Sequence, residues 1–322
     1  MNLMFIKESD HLKNKLWHFV RYILVVLIIA SICALSLFIL AKGHSHRNFS
    51  LKTETKTSSS HFKNIQLTAI GDSLTYGQQD PTSKGGYVYL IQQKLQKQYH
   101  IKVTTYNFGK SGDRTSQIKQ RIIQNKNIQE KLSEANVITM TFGGNDLVKV
   151  VQDHPQAFLD NNLTQIMPQE EKQYIMQVRA LLDTVRQYNP AAPVFVISIY
   201  NPFYVYFPTL EILQHYTDQW VKITQDVVQS YSQMYFVNVN QRLSQGQYLG
   251  KNQAQLKKEN QLDLTNLTPA KIERLLNNSS VNNSYLSSTD HFHPNLKGYK
   301  YIATKLDEVM SAHRKTWLVP VN

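Results

Sequence analysis

A serine near one end of the chain and an aspartate–histidine pair near the other have the residue types that nucleophilic catalysis needs. Ser73 follows a short apolar run in Gly71-Asp72-Ser73, and Asp290 and His293 lie three residues apart. A serine at the carboxyl end of a strand, beside glycine, can expose its hydroxyl next to backbone N–H donors. A carboxylate can hold one ring nitrogen of a histidine while the other accepts the serine proton. The pattern predicts acyl transfer through a covalent acyl-enzyme on Ser73.

The residues next to Ser73 and Asp290 restrict which fold and which histidine fit this chemistry. Thr75 stands where the G-x-S-x-G nucleophile elbow has its second glycine, which disfavours an ordinary α/β-hydrolase fold. His291 also adjoins Asp290, but an i+1 neighbour points away from that carboxylate, so a packing or hydrogen-bonding role is expected. Pro294 is expected at the first position of the following helix. Taken alone, the serine motif is also compatible with an ordinary strand-to-loop turn.

Two further clusters offer donors for the oxygen that becomes negative during acyl transfer. Gly112 follows the second predicted strand, and Asn145 follows the third. The Gly112 backbone N–H and the Asn145 side-chain amide are donors of the kind that form an oxyanion hole. Taken in isolation, each cluster is better explained structurally, Gly112 as a turn glycine and Asn145 as a loop residue that caps a helix. Convergence of all the clusters at one edge of a sheet favours the functional interpretation.

Short apolar runs alternate with longer helical patterns, which is typical of parallel strands joined by crossover helices. The predicted strands are 65–70, 103–107, 137–142, 194–199 and 235–239. The predicted helices are 87–99, 117–124, 170–188, 210–230 and 296–312. Such elements make a three-layer, doubly wound α/β sheet, whose ligands bind at the carboxyl ends of the strands. The Asn-, Gln- and Ser-rich stretch 241–288 is too long for an ordinary connection, which predicts a partly helical insertion or a mobile cover.

The clusters together resemble the four sequence blocks of the SGNH, or GDSL, hydrolase family over about residues 64–314. The blocks are Gly71-Asp72-Ser73-Leu74, Gly112, Gly144-Asn145-Asp146 and Asp290-x-x-His293-Pro294. The resemblance implies a flavodoxin-like α/β/α fold with strand order 2-1-3-4-5, and neither a metal nor another cofactor. The 241–288 stretch is not part of these blocks, so the substrate does not follow by analogy.

The same resemblance implies a role for each matched residue. Ser73 would be the nucleophile of a carboxylic ester hydrolase, His293 the general base and acid, and Asp290 the orienting carboxylate. The oxyanion hole would consist of the backbone N–H groups of Ser73 and Gly112 and the side chain of Asn145.

An apolar segment near the N-terminus predicts a membrane anchor. Residues 23–41 are 19 consecutive residues without a charge, and a helix of that length rises about 28 Å, close to the hydrocarbon thickness of a bilayer. The long charged lead and the poor cleavage signal at Ile39-Leu40-Ala41 favour an uncleaved anchor over a signal peptide. The expected organisation is a cytoplasmic tail at 1–22, an anchor at 23–41, a flexible linker at 42–62 and a hydrolase domain at 63–316.

Basic residues flank the apolar segment on both sides, so the positive-inside rule leaves its orientation open. The short N-terminal tail and the large C-terminal domain favour a catalytic domain outside the cytoplasm. The chain is also similar to the membrane-anchored lipase/acylhydrolase-like members of low-GC Gram-positive bacteria, which supports the same orientation.

Composition restricts the partners. The formal net charge is +12, but Lys and Arg are scattered along the chain, so nucleic acid is not an expected partner. Attraction to anionic lipid head groups or cell-surface polymers explains the positive charge at least as well as nucleic-acid binding does. The expected substrate is an ester, either an acyl lipid or an acetylated cell-wall glycan. The aromatic run 203–207 would favour lipid if it lined the site, although such runs more often pack.

Two other interpretations stay open at this point. A membrane-tethered binding protein could keep the hydrolase scaffold without the activity. A hydrolytic metal site could use Asp72, Asp290 and His293, although further ligands at recognisable spacing are missing.

Overall fold

The computed structural model describes residues 64–154, 157, 163–251, 253–259 and 282–318. The predicted tail, anchor and linker, and the middle of the 241–288 insertion, lie outside these residues. Within the described ranges, no helix is both long enough and apolar enough to cross a membrane.

Five parallel strands form one sheet in the order β2-β1-β3-β4-β5. The strands are β1 Ile65–Gly71, β2 Val103–Gly109, β3 Val137–Thr141, β4 Val194–Ile197 and β5 Met234–Val237. Gly71, the last residue of β1, pairs with Gly109 of β2 and with Thr141 of β3. The loops after these three strands therefore start at one edge of the sheet. The predicted parallel sheet and its strand order are confirmed.

Helices cover both faces of the sheet. They are α1 Ser73–Tyr76, α2 Gly86–Tyr99, α3 Thr115–Gln124, α4 Lys126–Ser133, α5 Gly144–Asp153, α6 Met167–Tyr188, α7 Glu211–Gln229, α8 Asn240–Gln245, α9 Gln253–Glu259 and α10 Leu296–Ala312. One buried cluster contains residues of α3, α4, α6 and α7, and the other contains residues of α2, α8 and α10. Phe195 and Val196 of β4 enter opposite clusters, as the alternation of side chains along a strand requires. The layers are those of an α/β/α sandwich.

The last two strands end two residues before their predicted C-terminal limits. The side chain of Ser198 explains the difference. Its hydroxyl accepts the Val239 backbone N–H at 2.9 Å, and its own backbone N–H donates to Val237 O at 2.9 Å. A side-chain oxygen thus takes the place of a strand carbonyl, which ends the ladder.

Several short helices are not predicted by the sequence patterns. For α1 and α4 the main signal is a single capping residue, because the side chains of Asp72 and Asn125 accept first-turn backbone N–H groups. In the 241–288 insertion, α8 and α9 agree with the partly helical interpretation of the part that the structure describes.

Candidate active site

Ser73 is the first residue of α1, directly after β1. The Asp72 side chain caps this short helix by accepting the Leu74 backbone N–H at 3.0 Å, and Gly77 ends it with a φ of 86°. The first N–H groups of a helix have no acceptor within the helix. The local sequence therefore presents the Ser73 hydroxyl and a backbone donor at the carboxyl end of the central strand.

Gly71 allows the backbone before Ser73 to pass close to β3. A Cβ atom at position 71 would lie 2.4 Å from Thr141 Oγ1 and 2.5 Å from Thr141 O. The absence of a side chain at position 71 leaves room for buried hydrogen bonds of Thr141. Thr141 Oγ1 donates to Asp72 Oδ1 at 2.6 Å and lies 2.8 Å from Thr75 Oγ1. Burial raises the pKa of the Asp72 carboxyl, and the hydrogen bonds that it accepts oppose this rise only in part.

A continuous path of hydrogen bonds joins three buried side chains. His293 Nε2 lies 2.9 Å from Ser73 Oγ, and His293 Nδ1 lies 2.7 Å from Asp290 Oδ2. With the Nδ1 proton donated to the carboxylate, Nε2 is the acceptor for the Ser73 hydroxyl. The structure therefore brings together the three residues that the sequence selects for acyl transfer.

The Asp290 carboxylate is fixed independently of the histidine ring. Its Oδ1 atom accepts the backbone N–H groups of Phe292 at 3.0 Å and of His293 at 3.1 Å. Burial alone would raise the pKa of Asp290, but the hydrogen bond to the His293 ring, the charge of that ring and the two backbone bonds hold it below its usual value. An ionised carboxylate in this position can orient the imidazole and stabilise the imidazolium.

Pro294 does not occupy the first position of α10, so this prediction was wrong. The helix begins at Leu296, and Asn295 caps it by accepting the Gly298 backbone N–H at 3.1 Å. Asn is among the most favourable capping residues, which places the helix start after it. Pro294 forms an antiparallel bridge with Leu286. This bridge joins the histidine segment to the returning end of the insertion.

His291 has a partner of its own. Its Nδ1 atom lies 3.0 Å from the Tyr206 hydroxyl, and its backbone has a φ of 52°. Burial lowers the pKa of His291, while the charge of Asp290 opposes this effect. These contacts agree with the hydrogen-bonding role expected from the sequence.

Gly112 lies in the turn after β2 with a φ of 83°, a conformation that favours glycine. Nothing lies within 4 Å of a Cβ atom placed there, so the glycine serves the backbone conformation and not a close contact. No acceptor among the described residues takes the Gly112 N–H. This donor is therefore available to a ligand.

Asn145 is the second residue of α5 and does not cap it, because the capping position belongs to Gly143. Asn145 Nδ2 donates to Asp113 O at 2.9 Å. Since a primary amide has two N–H groups, one donor remains. Asn145 and Gly112 are thus connected through the residue that follows Gly112.

A second connection between these loops was missed by sequence reasoning. The Thr115 backbone N–H and hydroxyl donate to Asp146 Oδ2 at 3.0 and 2.8 Å. Burial raises the pKa of Asp146, and the bonds from Thr115 partly oppose this. The available sequence signal is an acidic residue in the first turn of a helix, which many helices share.

Some side chains of the aromatic run 203–207 pack in the interior, and one lies close to the site. Tyr206 is buried. Phe203 is partly exposed and contacts Phe292 with ring centroids 5.9 Å apart, and the Phe292 ring lies 4.9 Å from that of His293. Packing therefore accounts for Tyr206, whereas Phe203 lies one ring away from the histidine.

The described residues do not support the hydrolytic metal site considered from the sequence. In the described parts of the chain, no group of three or more His, Cys, Asp or Glu side chains is arranged to hold a metal ion. Asp72, one of the ligands considered from the sequence, is engaged by Thr141 and by the backbone N–H of Leu74.

Comparisons with known proteins identify the family of the chain. The sequence model of the GDSL-like lipase/acylhydrolase family matches residues 69–301. The uncharacterized protein YpmR of Bacillus subtilis is 27% identical over 254 residues, which cover 79% of this chain and 82% of YpmR. The spore germination lipase LipC of Bacillus licheniformis is 27% identical over 157 residues, which cover 49% of this chain and 70% of LipC.

A solved structure shows the same fold. The crystal structure of the lipase Lip_vut3 from a goat rumen metagenome matches with a TM-score of 0.53 at 23% identity, covering 76% of this chain and 97% of that lipase. The family match spans well over half of the chain. The chain therefore belongs to the GDSL-like lipase/acylhydrolase family, a family of ester hydrolases.

Proposed function

We propose that this protein hydrolyses carboxylic esters through an acyl-enzyme on Ser73. The observation on which the proposal rests is the path from Asp290 through His293 to Ser73, with contacts of 2.7 and 2.9 Å. Membership of an ester hydrolase family supports the class of reaction.

In the proposed first step, Ser73 Oγ attacks the ester carbonyl carbon while His293 Nε2 takes the hydroxyl proton. Asp290 stabilises the resulting imidazolium, which gives its proton to the departing alcohol. A water molecule then attacks the acyl-enzyme with His293 again acting as base. The acid leaves, and the proton returns to Ser73.

Both steps place negative charge on the former carbonyl oxygen. We assign its stabilisation to the backbone N–H groups of Ser73 and Gly112 and to the side-chain amide of Asn145. The start of α1 at Ser73, the open Gly112 N–H and the remaining Asn145 amide N–H support this assignment.

Two substrate classes are supported by different observations. The Phe203 and Phe292 rings offer apolar surface next to His293, which favours an acyl lipid. The net charge of +12 favours an acetylated, anionic cell-wall polymer. The uncharged segment 23–41 supports a single-pass anchor in the cell membrane in either case, and the short N-terminal tail before a large C-terminal domain supports a catalytic domain outside the cytoplasm.

The decisive experiment uses the full chain purified in detergent, short-chain p-nitrophenyl esters and a fluorophosphonate probe. Ser73→Ala should abolish hydrolysis and labelling while leaving thermal unfolding nearly unchanged. Ser116→Ala, at an exposed position on α3, is the matched control and should retain both activities. Activity in Ser73→Ala would remove Ser73 from the mechanism. A folded wild type that neither hydrolyses nor labels would favour a binding protein.

A further inference from the structure

Arg121, near the end of α3, donates to three acceptors on two chain segments, one at the end of β1 and one that runs from the end of β2 into the following loop. Its Nε donates to Asp113 Oδ2 at 2.8 Å, one terminal nitrogen donates to Phe108 O at 2.7 Å, and the other donates to Gly71 O at 2.9 Å. The acceptors belong to the end of β1, the end of β2 and the loop after β2. One guanidinium thus holds together the segments that leave two neighbouring strands.

Each proposed oxyanion donor adjoins this cluster. Gly71 lies two residues before Ser73, and Asp113 directly follows Gly112. The third donor, Asn145, is hydrogen-bonded to the backbone oxygen of Asp113. A shift of Asp113 would therefore move the Gly112 N–H and the Asn145 amide together.

The geometry requires an arginine. A guanidinium presents its donors in a rigid planar fork, whereas a lysine ammonium is a single point on a flexible stem. The Arg121 side chain is 19% exposed and that of Asp113 is 6% exposed, so little water can replace these bonds. Lys110 Nζ also lies 3.7 Å from Asp113 Oδ1, but its side chain is 66% exposed. The Lys110 side chain can supply charge at Asp113 but not the bonds that Arg121 donates to Gly71 O and Phe108 O, although the Lys110 backbone N–H also donates to Gly71 O at 3.0 Å.

We infer that Arg121, through Asp113, is a positioning residue that sets the oxyanion donors of the Ser73 reaction. The inference rests on the proposed function, and Arg121 itself does not contact the ester. Displacement of donors by even 1 Å can cost about 100-fold in rate. Because the oxyanion exists only in the transition state and the intermediates, the loss should appear in kcat and not in KM.

The chain contains a matched control at the opposite edge of the sheet. Arg186 also binds backbone oxygens, namely those of Asn189, Ala192, Ser232 and Gln233. These residues precede β4 and β5, far along the strands from Ser73. Arg186→Gln therefore removes a similar set of bonds without touching the proposed site.

The test compares Arg121→Gln, Arg121→Lys and Arg186→Gln in the full chain, by steady-state hydrolysis of p-nitrophenyl acetate and by thermal unfolding. Arg121→Gln should lower kcat by about 10- to 100-fold with KM nearly unchanged, whereas Arg186→Gln should lower only the unfolding temperature. Arg121→Lys retains the charge beside Asp113 and should lose less activity than Arg121→Gln. If Arg121→Gln does not fold, Arg121→Lys should still lower kcat below that of Arg186→Gln.

A double-mutant cycle with Asn145→Ala tests whether Arg121 acts through the oxyanion donors. Asn145→Ala alone should cost on the order of 100- to 1,000-fold in kcat. In that background, Arg121→Gln should cost less than it does in the wild type, because one donor that it positions is already missing. The inference would be overturned if Arg121→Gln lowered kcat by the same factor in the wild type and in Asn145→Ala. It would also be overturned if the Arg121 variants had the same kcat as Arg186→Gln. The proposed function would survive that outcome if Ser73→Ala is inactive.

Discussion

The Nε2 atom of His293 lies 2.9 Å from the Oγ atom of Ser73, although 220 residues separate the two in the chain. Helix α10, which follows the histidine, helps to set this distance. Tyr299 of α10 donates its hydroxyl to Gln78 O at 2.6 Å, in the loop just after α1. The nucleophile segment and the histidine segment are therefore tied to each other beyond the contact between the two side chains.

Replacement of Asp290 tests the role of the carboxylate. Asp290→Asn should lower kcat for a p-nitrophenyl ester by about 10⁴-fold, because an amide donor beside Nδ1 favours the tautomer that cannot accept the serine proton. Asp226→Asn is the control, since Asp226 is an exposed carboxylate paired with Lys222 on α7. An Asp290→Asn enzyme within tenfold of the wild type would exclude an essential role for the carboxylate.

Asp72 and Asp290 should give opposite pH dependences of stability. The pKa of Asp72 is raised above its usual value of 3.8, so its contribution to stability is complete below pH 3.8 and is lost as the pH rises through the raised value. The pKa of Asp290 is lowered, so its contribution is complete above pH 3.8 and is lost as the pH falls through the lowered value.

Urea unfolding of Asp72→Asn, Asp290→Asn and the wild type across this pH range measures both effects. Asp72→Asn should gain stability relative to the wild type as the pH rises above 3.8, because the variant buries no charge. Both bonds to Asp72 end on Oδ1, an atom that asparagine retains. Asp290→Asn should instead lose stability relative to the wild type as the pH rises toward 3.8. Two differences with the same sign of slope would contradict the assignment.

The sequence predicts the parts of this molecule that depend on local patterns. The alternation of strand and helix patterns is sufficient to predict the parallel sheet. Short motifs select Ser73, Asp290 and His293, which lie together in the structure. Their catalytic roles stay predictions. Each of these residues is recognisable because its chemistry is a property of its own side chain and its nearest neighbours.

The sequence does not reveal contacts whose partners are brought together only by the fold. Arg121 looks like any basic residue in the last turn of a helix, and its bond to Gly71 O spans 50 residues. The hydroxyl of Ser198, which ends two strands, accepts an N–H from a segment 41 residues away. The sequence pattern places the start of α10 correctly at Leu296, but it does not reveal that Asn295 caps the helix or that Pro294 pairs with Leu286.

Gly71→Ala should destabilise the fold. The added Cβ atom would meet the Thr141 backbone oxygen at 2.5 Å, and a backbone atom in a central strand cannot move aside easily. Overpacking of this kind costs about 1–3 kcal/mol in the free energy of unfolding. Gly144→Ala is the control, because its Cβ atom would meet only Ile199 Cγ2 at an ordinary 3.7 Å. Equal urea midpoints for the two variants would show that the β1–β3 contact can relax.

Phe203→Ala tests which ester the site prefers. If the Phe203 ring contacts the acyl chain, its removal should lower kcat/KM for p-nitrophenyl octanoate by about tenfold and leave the acetate ester nearly unchanged, since the loss scales with buried apolar area. Phe207→Ala is the control, because that ring lies 6.3 Å from Phe203 and packs beside Tyr206. A wild type that cleaves octanoate well, with a preference lost only in Phe203→Ala, would favour an acyl lipid. A wild type restricted to the acetate ester, with Phe203→Ala and Phe207→Ala unaffected, would favour an acetylated glycan. The Phe203 ring would then serve only packing against Phe292.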